Sequence, residues 1–232
     1  RIHVDFGEPV RLDAAPDPED QLAISKIAFQ VAVEANRVTP ATFPAVVSSA
    51  LLGAFPRALT EPEIVKEVSI MTEWATARGV RLSPDFNLNY AEEIGSLLAN
   101  MMEEGIITRF EGGPETVYGI AEGQAPLASF YRNTIVHFFL TRAVAELALL
   151  AVSEQRESGE SLSQFWSEVQ ELRDLFKFEF FYPDTQLFEQ QIDVELCRDE
   201  PNWQALLSEN PDNARLIMNR LSPKLGHLAL TV

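Results

Sequence analysis

Apolar positions fall at helical spacing along nearly the whole chain, and strict alternation is confined to its first residues. Ile2, Val4 and Phe6 alternate with His3, Asp5 and Gly7 before Pro9, which predicts a strand ending near a turn within Ile2–Leu12. Pro16 and Pro18 among acidic residues make Ala14–Asp20 a linker. Ile24, Ile27, Ala28, Val31 and Ala35 then recur at helical spacing until Asn36 and Pro40 close the segment. A second helix runs from about Pro44 to Leu52. The third is the best marked: Thr60 and Glu63 have capping-box spacing, Ile64, Val68, Met71 and Ala75 form one stripe, and Gly79 stands where a left-handed cap is expected. Ile94, Leu97, Leu98 and Met101 repeat the pattern before Gly105. Two β-prone runs, Ile106–Phe110 and Thr116–Ile120, flank a turn at Glu111–Glu115.

Three helices followed by a hairpin is the order of a winged-helix unit over Thr42–Ile120. Its third helix carries Glu92, Glu93, Glu103 and Glu104 and no Lys or Arg, which argues against docking on phosphates and for packing or partner binding. From Pro126 a long apolar helix is expected, and Thr134–Val152 would span about 28 Å at about 1.5 Å per residue. Arg142 and Glu146 lie one turn apart on the side opposite its apolar half. Placing Arg142 in mid-bilayer would cost about 2.5–3.5 kcal/mol, so the segment reads as a buried central helix, with a helix lying on a membrane surface as the alternative. After a break at Ser158–Ser161, Leu162, Phe165, Trp166, Val169 and Leu172 start another helix that runs into the aromatic cluster Phe176–Tyr182 and stops at Pro183. Asp184–Arg198 and Pro211–Leu221 complete the set, the last with Asn210 as N-cap and Pro211 at the first position. The expected fold is mainly α, a multi-helix bundle with a short N-terminal strand and a small β-hairpin, divided as 1–13, 14–123 and 124–232.

With 46% hydrophobic residues among 232, the chain can bury an ordinary core. Its net charge of −17 repels nucleic acid and anionic lipid wherever that charge is exposed. Cys197 is the single cysteine, which excludes an internal disulfide framework and reads as a small packing residue. The chain opens at Arg1 without a Met or an apolar leader, as expected of a segment cut from a longer polypeptide.

Chemistry has little to stand on. His3, His137 and His227 each lack a second His, Cys or carboxylate at ligand spacing on the same helix face, so neither a metal nor a cofactor is implied. His137 reads as a hydrogen-bonded core residue. A Gly-rich phosphate loop is absent from the sequence.

Ser129-Phe130-Tyr131-Arg132-Asn133-Thr134-Ile135-Val136-His137-Phe138-Phe139 resembles the Tyr-Tyr-Arg-Asn…His stretch of the large glycerol-3-phosphate acyltransferases. Asp174-Leu175-Phe176-Lys177-Phe178-Glu179-Phe180-Phe181 is similar to a phrase in their C-terminal region. Val4–Val10 resembles the strand that closes their acyltransferase fold, and Glu34–Pro40 with Ala50–Gly53 the region just beyond it. The resemblance implies an enzyme that moves a fatty acyl group from acyl-CoA or acyl carrier protein to the sn-1 hydroxyl of glycerol 3-phosphate in phospholipid synthesis, at the cytoplasmic face of the cell membrane. In that family a His held by an Asp five residues later is the general base. Here the fifth residue after His3 is Glu8, after His137 Arg142 and after His227 Val232, and a Phe-Pro-Glu-Gly-Thr stretch is also missing. The chain therefore reads as the non-catalytic C-terminal region, inactive alone, packed on its own catalytic domain and touching the membrane surface. Arg132, His137 and Arg142 are the groups that could meet a substrate or lipid phosphate, against internal hydrogen bonds and an Arg142–Glu146 pair as the plainer role. A dihydroxyacetone-phosphate acyltransferase is the alternative within the family; an acidic helical adaptor or winged-helix scaffold is the alternative from another class.

Overall fold

The computed structural model describes residues 5–12, 15–84, 86, 90–154 and 160–229. Helix α1 (Gln21–Val38) begins at Asp20, whose carboxylate accepts from the Ala23 N–H at 2.9 Å. Helix α2 (Phe43–Ala54) has Pro44 in its first turn and buries a continuous run from Ala45 to Leu52. A two-residue strand, β1 (Leu59–Thr60), leads into α3 (Glu61–Thr76), where the capping box forms as its spacing predicts. The Thr60 hydroxyl accepts from Glu63 N, and the Glu63 carboxylate accepts from Thr60 N at 2.8 Å. Ile64, Val68, Met71 and Ala75 are all buried, and Gly79 takes a φ of +77°, which favours glycine there. Helix α4 (Tyr90–Glu103) buries Ile94, Leu98 and Met101.

Strands β2 (Ile107–Phe110) and β3 (Val117–Ile120) form the expected hairpin, with Ile107 opposite Ile120 and Phe110 opposite Val117. β1 pairs with the other edge of β3, giving the antiparallel order β1-β3-β2. Helix, strand, two helices and hairpin with that strand order is the winged-helix arrangement. The sequence hid its third strand because two residues are too few to alternate.

The long helix expected from Pro126 is three pieces: α5 (Ala125–Asn133), a 3-10 turn at Val136–Phe138, and α6 (Leu140–Glu154). Thr134, Ile135 and Val136 are consecutive β-branched residues, poor α-formers. The Thr134 hydroxyl donates to the Tyr131 carbonyl at 2.7 Å, and the amides of Thr134, Ile135, Phe138 and Phe139 each bond three residues back. No helix among the described residues is long and apolar enough to cross a membrane.

Helix α7 (Ser161–Phe176) ends at the first residue of the aromatic cluster it was expected to run into, leaving residues 177–183 irregular. Of the break read at Ser158–Ser161, residues 158 and 159 lie outside those described, Glu160 precedes α7 and Ser161 opens it. Asp184 caps α8 (Thr185–Cys197), accepting from Leu187 N at 2.9 Å. Helix α9 (Trp203–Glu209), unread in the sequence, precedes α10 (Asn213–Arg220). The latter starts two residues later than Pro211 because the Asn210 side chain accepts from Asp212 N at 2.9 Å and closes a turn instead of capping the helix. A short α11 (Gly226–Ala229) follows.

Two apolar cores result among the described residues. The first joins α2, α3, α4 and the sheet with Ala128, Ile135 and Phe139. The second lies among α6, α7, α8, α9 and α10, centred on Phe165, Phe188 and Trp203. The chain end links them: Leu221 packs in the second core, and Leu225 and Leu228 return to the first. Residues 5–12 have no regular secondary structure and lie beside α1, with Glu8 N donating to the Glu34 carboxylate at 3.2 Å. Ile2, His3 and Val4 of the expected strand lie outside the described residues, and over residues 5–12, which Pro9 interrupts, no strand forms.

Candidate functional site

Charged chemistry concentrates where the two cores meet. Arg142, fully buried on α6, donates from Nε to Glu146 at 2.9 Å, approaches Asp199 at 2.7 Å and Glu195 at 3.4 Å, and donates to the Pro223 carbonyl at 3.4 Å. Glu195 on α8 also accepts from Arg78, just beyond α3, at 2.9 and 2.5 Å. Glu146 receives the backbone amides of Leu225 at 2.9 Å and Gly226 at 2.7 Å. A Cβ on Gly226 would lie 3.1 Å from the Glu146 carboxylate, so glycine lets the backbone approach this closely. The face of α6 that sequence spacing set apart as polar is thus an internal joint holding α3, α6, α8 and the chain end. Each buried charge there has a partner of opposite sign, the condition for burying charge at all.

Beside this joint is a cleft of about 660 Å³ lined by Trp74, Arg78, His137, Arg142, Gln190 and Arg198, among others. Arg78 stacks over the Trp74 ring at 3.9 Å, and Trp74 in turn stacks on Phe139 at 5.1 Å. The cleft's cations Arg78, Arg142 and Arg198 are set against Glu195, Glu146 and Asp199, so it carries little net charge for an anion.

Of the three residues singled out from the sequence, His137 and Arg142 line this cleft and Arg132 does not. The Arg132 side chain is buried on α5, its Nε donating to the Asn133 amide oxygen at 3.0 Å, and burial pulls its pKa below the usual arginine range. His137 Nε2 donates to the Asn36 carbonyl at 3.1 Å, tying the 3-10 turn to α1. The Arg142–Glu146 pair forms as its i,i+4 spacing predicts. Glu195, Asp199 and Arg78 gave no local signal, since Arg78 and Glu195 stand 117 positions apart. No group of His, Cys, Asp and Glu among the described residues could hold a metal ion.

Burial depresses the pKa of both His137 and His227, the latter against the opposing pull of Glu146 and Glu67. A histidine whose folded pKa lies below its unfolded value of about 6.5 contributes stability that is full above that pH and is lost as pH falls from there through the depressed folded value. The urea midpoint of the full-length chain should therefore fall on acidification from pH 7 to 5.5, and less steeply in the His137→Gln/His227→Gln variant. Equal slopes would remove the histidines from the acid response.

A family model described as glycerol-3-phosphate acyltransferase C-terminal region matches residues 1–230. This chain belongs to that family. The acyltransferase-family region is also similar to proteins carrying the name "Putative acyltransferase plsB1" in Mycobacterium tuberculosis (strains H37Rv and CDC 1551) and Mycobacterium bovis. Each is 38% identical over 199 residues, covering 83% of this chain and 32% of the relative. The chain thus spans about a third of the length of the curated relatives it matches. Membership of a C-terminal region agrees with the joint just described, where charge is spent on internal partners.

Proposed function

We propose that this chain is the non-catalytic C-terminal region of an enzyme that moves a fatty acyl group from acyl-CoA or acyl carrier protein to the sn-1 hydroxyl of glycerol 3-phosphate, at the cytoplasmic face of the membrane. The observation that carries the reading is a family match over nearly the whole chain in a sequence with no His followed five residues later by Asp. The catalytic base then belongs to another part of the same polypeptide, and this region supports it. The test is acyl transfer by membranes carrying the full-length protein or a version ending before Ala14. Activity on glycerol 3-phosphate in the first and its loss in the second is the expected result; equal activity would make the region accessory. Activity only on dihydroxyacetone phosphate would replace the acceptor, and none in either would favour the adaptor reading.

A phosphate contact by Arg132, His137 or Arg142 is a finer proposal: His137 and Arg142 line the cleft, and Arg142 would have to give up one of its carboxylate partners to take a phosphate. An unchanged KM for glycerol 3-phosphate in Arg132→Ala and His137→Gln would sink it for those two residues.

A further inference from the structure

Helix α1 buries none of its 18 residues. Yet Ile24, Ile27, Ala28, Val31 and Ala35 form one apolar stripe along it, at the spacing that helices use to enter a core. Ile24 is 36% and Val31 52% exposed, Ala28 and Ala35 are also open, and Ile27 is half-buried. The helix is nevertheless held in place from its other sides. Phe29 meets Phe181 edge to face at 5.1 Å, the Asn36 carbonyl accepts from His137, and the Val38 carbonyl accepts from Arg81 at 2.9 Å. A fixed helix presenting an uncovered stripe is a surface shaped for a partner.

The geometry points to the acyltransferase part of the same polypeptide as that partner, docked on the Ile24–Ala35 stripe of α1. This rests on the function proposed above. About two thirds of each relative lies outside the match, and a C-terminal region is preceded by the rest of its chain. The segment leading from that part, residues 5–12, already lies against α1 through Glu8–Glu34, and Asp5 pairs with Arg81 at 3.2 Å. The segment packs on the Phe29–Gln30–Val33–Glu34 side, and attachment to the same helix gives the preceding domain a high effective concentration around it, so a modest apolar contact suffices. Lipid is the poorer occupant: Asp17, Glu19 and Asp20 stand at the start of α1 on a chain of net charge −17, which an anionic bilayer repels.

The test uses the full-length protein with benzoylphenylalanine placed at position 31. On irradiation the expected cross-link is intramolecular, mapped by mass spectrometry to peptides that precede residue 1. Cross-links to a second copy, to lipid, or to residues 5–232 alone would each overturn the proposal. In parallel, Ile24→Glu/Val31→Glu should lower acyl-transfer activity at least about tenfold by putting charge into a closed contact, while Lys26→Glu, exposed on another side of α1, should not. Equal activity of the two variants would also count against docking. A wild-type chain with no acyl transfer would overturn the functional reading alone, because the cross-link reports docking without reference to activity.

Discussion

Arg142→Ala in the full-length chain is expected to destabilise this region by about 3–5 kcal/mol, the usual consequence of removing one partner from a buried charge cluster. Its guanidinium faces Glu146, Glu195, Asp199 and the Pro223 carbonyl at once. Without it, three carboxylates remain close together; Glu195 retains Arg78, and Glu146 retains the amides of Leu225 and Gly226. Arg142→Lys should recover only part of the loss, because an ammonium cannot address partners in several directions as the planar fork does. Hydrogen exchange on the full-length protein is the measurement. Since the cluster joins both cores, protection should fall in α3 and α11 as well as in α6 and α8. A loss confined to α6 would mean that the pair with Glu146 matters and the longer connections do not.

How far the sequence could be read depended on whether a signal was local. The capping box at Thr60, the stripe of α3, the glycine at 79 and the hairpin register follow from neighbours a few positions apart, and each is in place. The winged-helix order was legible for the same reason. Departures arise where short-range and long-range preferences compete. Apolar content between Pro126 and Val152 suggested one helix, but the β-branched run at Thr134–Val136 tightens the backbone there and turns α6 toward a different core. The placement of Arg142 and Glu146 on the polar side of that helix was correct, and the internal pair read as their plainer role forms between buried side chains. Partners for that side come from Glu195, Asp199 and Pro223, which no spacing rule connects to it. For α1 the spacing predicted the helix itself, and the structure leaves its apolar stripe largely open. Of the candidate site, the ion pair was visible and the cleft was not, since its walls come from α3, the 3-10 turn and α8.

Trp203→Ala is expected to cost a further about 3–5 kcal/mol, but with a different footprint. The indole is fully buried, with ring centroids 4.9 Å from Phe165 and 5.7 Å from Trp166, and its Nε1 donates to Asp193 at 3.0 Å. One side chain thus ties α9 to α7 by packing and to α8 by a hydrogen bond. Truncation leaves a cavity that the rigid helix ends around it can only partly close. Asp193 keeps a partner in Gln204 at 2.6 Å, so the deficit should be chiefly lost packing. Trp203→Phe, which retains much of the ring volume, should accordingly lose less than half as much. None of these contacts reaches the first core. Hydrogen exchange should therefore rise across α7, α8 and α9 while α2, α3 and the three-stranded sheet keep their protection, in contrast to Arg142→Ala. Equal loosening of both cores by Trp203→Ala would mean that they unfold as one cooperative unit, with the charged joint only one contact among many between them.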